Sequence, residues 1–337
     1  MRTRVNAIAT GVAIVTLVSC GGTGSPSSPS SSSSSSSTAS LPATATFSQS
    51  PIDIAVISTI TPIGNLNPPD HTLPTNHAYF FHPTAANAEV RALSAGIVQT
   101  ITRGTGGNDD QLSIAASAHV QYYLDHIRVD AGIDRNQPVT AGQRVGVTAS
   151  AAGAMDLGLI NDTITLFFVR PDRYIPGTLH ADSPLKYLDE PVRTSLYARV
   201  TAGDKDGSIS FDVDGRLAGN WFIPDLAASV TENFGNGFKH LAFVRDVNNP
   251  SLLRVSIGGS LSISGAYYVQ AGAPDPADVS VATGKVGYLL LSSPAATLGA
   301  GILIAQMLAE DRIRVQTFSG NLSLTTDFTD AALTYVR

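Results

Sequence analysis

Two histidines flank three aromatic residues in the stretch TNHAYFFHP, which spans residues 75–83. Alternate side chains of a strand share a face, so His77 lies on the face of residues 79 and 81, whereas His82 lies on the other. A strand histidine can bind zinc, but it needs further nitrogen or oxygen donors beside it. The residue four positions after His77 is Phe81, which supplies none. The stretch is therefore either part of a metal site completed from elsewhere or a strand with two ordinary histidines.

Three other segments carry further donors. They are NPPDHTLP with Asp70 and His71, YYLDHI with His126, and GAMDLGLI with Asp156. Imidazole and carboxylate groups together form a donor set that zinc accepts. One interpretation is a rearranged metal site built on His77 and Asp156, with His126 beside it. The other is a group of strand and loop histidines that bind no metal.

The elements that carry the candidate donors are predicted to be mainly β. Their apolar segments are short, rich in Val, Ile, Leu and Thr, and separated by Gly and Pro. EVRALSAGIVQTI is predicted to be a strand that contains Gly96, and TRGTGGNDD is predicted to be a turn. QLSIAASAHVQYYLDHIRV is predicted to form two strands or one long bent strand. The glycines of VTAGQRVGV stand where strands of a small, tightly wound barrel turn sharply.

The order of these motifs resembles the lysostaphin-type (LytM-like) peptidoglycan metallopeptidases over roughly residues 60–170. His77 matches the family's first histidine, VRALSAGIV its Val-x-Ala-x-x-Gly-x-Val strand, and VTAGQRVG its fourth motif. YYLDHI places His126 near the histidine of the Tyr-x-His motif, and GAMDLGLI would be the closing strand. The resemblance implies a LytM-like barrel or sandwich domain.

In that family, zinc is held by a histidine, an aspartate four residues later and the second histidine of a closing His-x-His. Here Phe81 replaces the aspartate. One alignment of the closing strand places Asp156 on the ligand histidine, and a shift of two residues places it on the catalytic histidine, with Gly158 on the ligand. The resemblance thus implies His77 and Asp156 as the remaining metal ligands, with His126 assisting proton transfer if the protein is active. Degenerate members of the family are non-catalytic regulators or binding modules.

The first residues predict export. Arg2 and Arg4 precede an uncharged apolar run of signal-peptide length, and the run ends in LVSC. This end resembles the lipobox of bacterial lipoproteins, which predicts a signal peptide over 1–19 and a lipidated Cys20. Because Cys20 is the only cysteine, the mature protein has no internal disulfide. Residues 20–46 are rich in serine and predict a flexible tether.

The charge balance argues against nucleic acid as a partner. The chain has 21 Lys and Arg against 27 Asp and Glu, a net charge of −6, without a basic cluster. The expected partners are the membrane, through the lipid on Cys20, and peptidoglycan or a cell-wall hydrolase. The expected location is the cell envelope, on the periplasmic side of the outer membrane if the organism is Gram-negative.

The second half predicts another antiparallel β domain, a barrel or a sandwich, over 176–337, after a LytM-like domain over 47–175. DEPVRTSLYARV has apolar residues at helical spacing, with Asp189 as the predicted cap, and indicates a short linking helix. Nine short strands are predicted after it, and Trp221 is predicted to lie in the core. The second domain matches no family with a known function.

Taken together, these features predict a cell-envelope lipoprotein whose LytM-like domain has a non-catalytic binding or regulatory role. The alternative is a zinc-dependent peptidoglycan endopeptidase with rearranged ligands. No cofactor is expected under the first hypothesis, and zinc is the cofactor expected under the second.

Overall fold

Seventeen strands arranged in two antiparallel sheets account for most of the regular structure in the described part of the chain. The computed structural model describes residues 41–68, 70–83, 87–104, 109–149, 153–226, 237–320 and 322–337. The predicted signal peptide, Cys20 and most of the predicted tether lie outside these residues. No helix within them is both long and apolar enough to cross a membrane. The prediction of a mainly β fold is confirmed.

The first sheet has nine strands, and β9 lies between β2 and β6 at its centre. The order is β1-β2-β9-β6-β5-β4-β7, and β8 pairs with both β3 and β6. The strands are β1 (Thr59–Thr61), β2 (His77–Phe81), β3 (Glu89–Arg91), β4 (Gly96–Thr102), β5 (Asp110–Ala115), β6 (Val120–Val129), β7 (Pro138–Val139), β8 (Arg144–Thr148) and β9 (Ala154–Asn161).

The second sheet is a meander in which eight strands neighbour each other in chain order. They are β10 (Gly219–Trp221), β11 (Leu241–Arg245), β12 (Leu253–Ile257), β13 (Gly265–Val269), β14 (Lys285–Leu291), β15 (Gly299–Ala309), β16 (Arg312–Ser319) and β17 (Leu333–Val336). Trp221 is fully buried and donates its indole N–H to the Leu217 carbonyl at 2.8 Å, so the predicted core position is confirmed.

Helical structure is short and lies mainly between the sheets in sequence. The α-helices are α1 (Pro176–Leu179) and α2 (Val192–Tyr197), and the 3₁₀ turns are Ile54–Val56, Pro171–Arg173, Pro184–Tyr187, Gly237–Lys239 and Val281–Thr283. Helix α2 confirms that this segment is helical, but the predicted cap at Asp189 is wrong. Pro191 is the N-cap, and the Glu190 carboxylate accepts the N–H of Thr194 at 3.2 Å instead.

Each sheet has its own hydrophobic core. The first core includes Phe80, Leu124 and Leu157 from the three central strands, and it extends to Leu188 and Leu196 beyond the predicted boundary at 175/176. Phe47 pairs with Leu188, and Ile60 pairs with Val200, as isolated parallel bridges. Residues 185–202 therefore help to hold the first sheet, and the boundary itself stays a prediction.

Two predicted strands differ from the observed ones. EVRALSAGIVQTI divides into β3 and β4, because residues 92–95 leave the sheet between them. SISFDVDG forms no strand, because the buried Asp212 carboxylate accepts the backbone N–H groups of Val169 and Asn220 and fixes a loop there. QLSIAASAHVQYYLDHIRV forms two strands, and Gly142 lies in the predicted sharp turn with a φ of 76°.

Candidate metal centre

The central strands bring the predicted donors onto one face of the first sheet. His77 on β2 lies opposite Gly158 on β9, and Tyr79 lies opposite Asp156. Asp125 on β6 lies opposite Asp156 from the other side. Because strand partners directly opposite each other share a face, the side chains of His77 and Asp156 point to the same side.

His77 and Asp156 meet in a buried position, with Nε2 of His77 3.2 Å from Oδ2 of Asp156. Nδ1 of His77 lies 3.2 Å from the amide oxygen of Asn76. An amide oxygen only accepts, so Nδ1 carries the ring hydrogen and Nε2 keeps a lone pair. Burial lowers the pKa of His77 to about 4, which makes the neutral ring the form present at pH 7.

Nε2 of His77 therefore faces Oδ2 of Asp156 without donating a proton to it. His77 Nε2 and the other carboxylate oxygen, Asp156 Oδ1, are both buried and have no hydrogen-bond partner among the described residues. Leaving such atoms unsatisfied costs about 1–3 kcal/mol each, and more for a charged group. A cation bound by His77 Nε2 and the Asp156 carboxylate would offset this cost.

A β-bulge directs the His126 side chain toward Asp156. Asp110 pairs with Ile127 and Leu112 pairs with Leu124, so Gln111 alone lies opposite both Asp125 and His126. His126 adopts a left-handed backbone with a φ of 58°, which is uncommon for a residue other than glycine. The Asp125 carboxylate holds the bulge by accepting the N–H of His126 at 2.8 Å and the Gln111 side-chain amide at 2.8 Å. Strained residues of this kind are common at functional sites.

The His126 ring links two carboxylates. Nδ1 lies 2.6 Å from Oδ1 of Asp109, and Nε2 lies 3.4 Å from Oδ2 of Asp156. The hydrogen bond with Asp156 raises the pKa of His126 to about 10, against the opposing effect of burial. His126 thus carries a proton at neutral pH, whereas His77 does not.

His71 completes the histidine group from the loop before β2. Its ring meets the edge of the His77 ring at a centroid distance of 5.3 Å, and burial lowers its pKa. A pocket of about 600 Å³ opens beside these rings. Asp70, His71, Asp109, His126 and Asp156 line it, so residues from four separate segments share one cavity.

The Tyr123 ring fills the space beside Gly158. In one predicted alignment Gly158 stands at the position of the family's ligand histidine, and a β-carbon there would lie 2.1 Å from Cζ of Tyr123. The Tyr123 hydroxyl donates to Asn76 Oδ1 at 2.9 Å, and Asn76 Nδ2 donates to Thr178 Oγ1 at 3.1 Å. This network fixes the amide that orients His77.

Gly158→Ala is expected to displace the Tyr123 ring and to break its hydrogen bond to Asn76. Overpacking of this kind costs about 1–3 kcal/mol, and loss of a group that orients a ligand lowers metal affinity by roughly tenfold or more. Denaturant unfolding and zinc titration measure both effects. Gly132→Ala is the matched control, because a β-carbon there meets nothing within 4 Å. Equal effects from the two variants would contradict the role given to Tyr123.

A second donor group lies at the mouth of the pocket. The ligand atoms of Asp109, Asp125 and His126 lie within 4.8 Å of one another. These atoms already pair among themselves and with Gln111, and the Asp109 side chain is 60% exposed. His77 Nε2 and Asp156 Oδ1 are the stronger metal candidate, because both are buried and have no hydrogen-bond partner among the described residues.

The structure brings together His77, His126 and Asp156, and it places Asp70 and His71, which the sequence also singled out as donors, in the pocket beside them. His82 is buried on the other face, with Nδ1 3.0 Å from the Pro83 carbonyl. Sequence reasoning missed Asn76, Asp109 and Asp125. Asp125 adjoins His126 in the sequence, but strict alternation places the two on opposite faces, and the bulge reverses that expectation.

No protein-family model matches the chain, and no curated protein matches its sequence. Among solved structures, Csd3 of Helicobacter pylori is similar at 15% identity and a TM-score of 0.31, over 43% of this chain and 35% of that one. A zinc-containing peptidase from Vibrio cholerae is similar at 20% identity and a TM-score of 0.28, over 34% of this chain and 36% of that one. The chain thus spans about a third of the length of each.

The catalytic domain of the antimicrobial peptidase lysostaphin from Staphylococcus simulans is also similar. Its identity is 15% and its TM-score 0.26, over 31% of this chain and 80% of that one. The solved structures similar to this chain therefore include peptidase domains of the type to which the sequence resemblance points. At these TM-scores the matches do not carry the functional assignment, which rests on the geometry of the site residues.

Proposed function

We propose that this chain is a cell-envelope protein whose first sheet carries a zinc-dependent peptidase site acting on peptidoglycan. The observation that carries the proposal is the buried contact between His77 Nε2 and the Asp156 carboxylate, in which Nε2 and Oδ1 have no hydrogen-bond partner among the described residues. The sequence motifs of the LytM-like family and the predicted export signal support the envelope substrate.

The residues are donors of the types that zinc accepts. His77 and Asp156 would hold it, and the His71 ring lies beside them, with its centroid 5.3 Å from that of the His77 ring. Asn76 holds Nδ1 of His77, which is the support that zinc-binding histidines receive from neighbouring groups. When bound, zinc would supply a Lewis acid that polarises the amide carbonyl.

His126 is the proton-transfer group of this proposal. Asp109 orients the ring through Nδ1, and Nε2 faces the pocket beside Asp156. A protonated imidazole held in this way can donate its proton to the departing amine, which is the task of a general acid. Asp109 acts through His126 and is a positioning residue.

A non-catalytic binding role is the second candidate, and one observation favours it. Oδ2 of Asp156 lies between Nε2 of His77 and Nε2 of His126, so the charged His126 neutralises Asp156 without a metal. In that case the pocket binds an envelope peptide or a partner protein without turnover, and Phe81 marks the lost carboxylate ligand. Lipidation of Cys20 and a tether over residues 20–46 would place either function at a membrane surface.

Zinc-loaded protein incubated with purified peptidoglycan tests the proposal, with released peptides measured by mass spectrometry. The expected result is peptide release that stops when a chelator removes zinc. His126→Gln should retain zinc and lose activity by about 100-fold or more. His119→Gln is the matched control, since His119 pairs with Asp162 outside the pocket. Bound zinc without release would favour the binding role.

A further inference from the structure

The pocket beside the proposed zinc site is strongly acidic. Asp70, Asp109 and Asp156 line it, and Asp125 lies next to Asp109 and His126. None of the described residues that line the pocket is a lysine or an arginine.

The negative charge persists in both states of the site. Without metal, the four carboxylates face one positive group, the His126 imidazolium. With a divalent ion bound, the ion and the His126 side chain together offset three of the four negative charges, which leaves one in excess. An anionic ligand would therefore be repelled from the pocket, whereas a cationic group would be attracted in either state.

The pocket also has an aromatic wall. The rings of Tyr79 and Phe81 line it and stack on each other at a centroid distance of 6.1 Å and an interplanar angle of 19°. Aromatic faces attract ammonium groups, by about 0.5–2 kcal/mol per contact. At the base of the pocket, Asp156 is 3% exposed and its Oδ1 has no hydrogen-bond partner among the described residues.

We propose that this pocket selects peptides that carry an alkylammonium group, either a free amino terminus or a lysine-type side chain, next to the bond at the zinc site. The carboxylates of Asp70 and Asp109 receive the ammonium at the mouth of the pocket, and the rings of Tyr79 and Phe81 pack against its methylene groups. That the ligand is a peptide rests on the proposed function. The preference for a positively charged group depends only on the residues that line the pocket.

Binding of short synthetic peptides to the purified protein, by calorimetry with and without zinc, tests this proposal. One pair is a pentapeptide with a central lysine and the same peptide with that lysine acetylated on Nζ. A second pair has a free or an acetylated amino terminus. The ammonium form of one pair should bind about tenfold more tightly, and the pair affected identifies the source of the ammonium.

Asp70→Asn should reduce that preference to about threefold or less, since Asp70 is exposed in the loop before β2 and its change spares the histidine contacts. Asp130→Asn should leave the preference intact, because Asp130 pairs with Arg144 outside the pocket. Raising the salt concentration should weaken only the ammonium forms.

Equal binding of ammonium and acetylated peptides would overturn the inference while leaving a zinc peptidase possible. An ammonium preference without zinc binding or cleavage would support the inference and refute the proposed function. Absence of binding by all four peptides would overturn the inference.

Discussion

Replacing Asp156 by asparagine is expected to reduce zinc affinity by more than about 100-fold. The substitution keeps the shape of the side chain but removes the charge that faces Nε2 of His77 at 3.2 Å. Loss of a group that only orients a ligand already costs about 10–100-fold in metal affinity, and loss of a ligand costs more. Elemental analysis after dialysis against zinc measures the effect directly.

The same variant has a second readout that does not depend on metal. The hydrogen bond with Asp156 is the largest cause that raises the pKa of His126 to about 10, so Asp156→Asn should lower this pKa toward 6.5. Imidazole NMR signals followed against pH in chelator measure the shift. Asp162→Asn, beside His119 on the surface, is the matched control. Full zinc retention by Asp156→Asn would refute Asp156 as a ligand.

Metal-free protein is expected to lose stability on acidification because of His77. Its pKa is about 4 in the folded state and 6.5 in the unfolded state. Between these values the unfolded state binds more protons, so the free energy of unfolding falls as pH falls from 6.5 through 4. The fall due to His77 amounts to about 3 kcal/mol, at 1.36 kcal/mol per pKa unit.

Urea unfolding in chelator at pH 7.5 and pH 4 tests this expectation. His77→Gln should lose about 3 kcal/mol less than the unmodified protein over that interval, whereas His119→Gln should match the unmodified protein. His126 acts in the opposite sense. Its pKa is raised from 6.5 to about 10, so its contribution to stability is complete below pH 6.5 and is lost as pH rises from 6.5 through 10. Acidification from pH 7.5 therefore adds stability through His126, and the comparison with His77→Gln isolates the effect of His77 because His126 is present in both proteins. Identical acid sensitivity in the His77→Gln variant would show that its ring is not held neutral.

Local sequence patterns predicted much of the fold. Alternation placed His77, Tyr79 and Phe81 on one face, and Tyr79 and Phe81 do line the pocket that holds Asp156. The Gly and Asn turns of the second half predicted its short antiparallel strands, but not that the strands neighbour each other in chain order. Local sequence patterns could predict these features because each feature depends on residues a few positions apart.

The contacts that make the site depend on the partners of each strand, which local patterns do not contain. The bulge at His126 arises from its pairing with Gln111, and Asp109 reaches His126 only because β5 and β6 are neighbours. Asn76 supports His77 in a position that its hydrogen bond to Thr178 fixes, and Thr178 lies more than a hundred residues later in the sequence. Position 158 requires glycine because the Tyr123 ring occupies the space where a β-carbon would lie.

Diffraction from zinc-soaked crystals at the zinc absorption edge tests the central claim most directly. The account predicts an anomalous peak in contact with Nε2 of His77 and the Asp156 carboxylate, within reach of His71, and His126 still paired with Asp109. A peak confined to Asp109, Asp125 and His126, or no peak at His77 in saturating zinc, would contradict it.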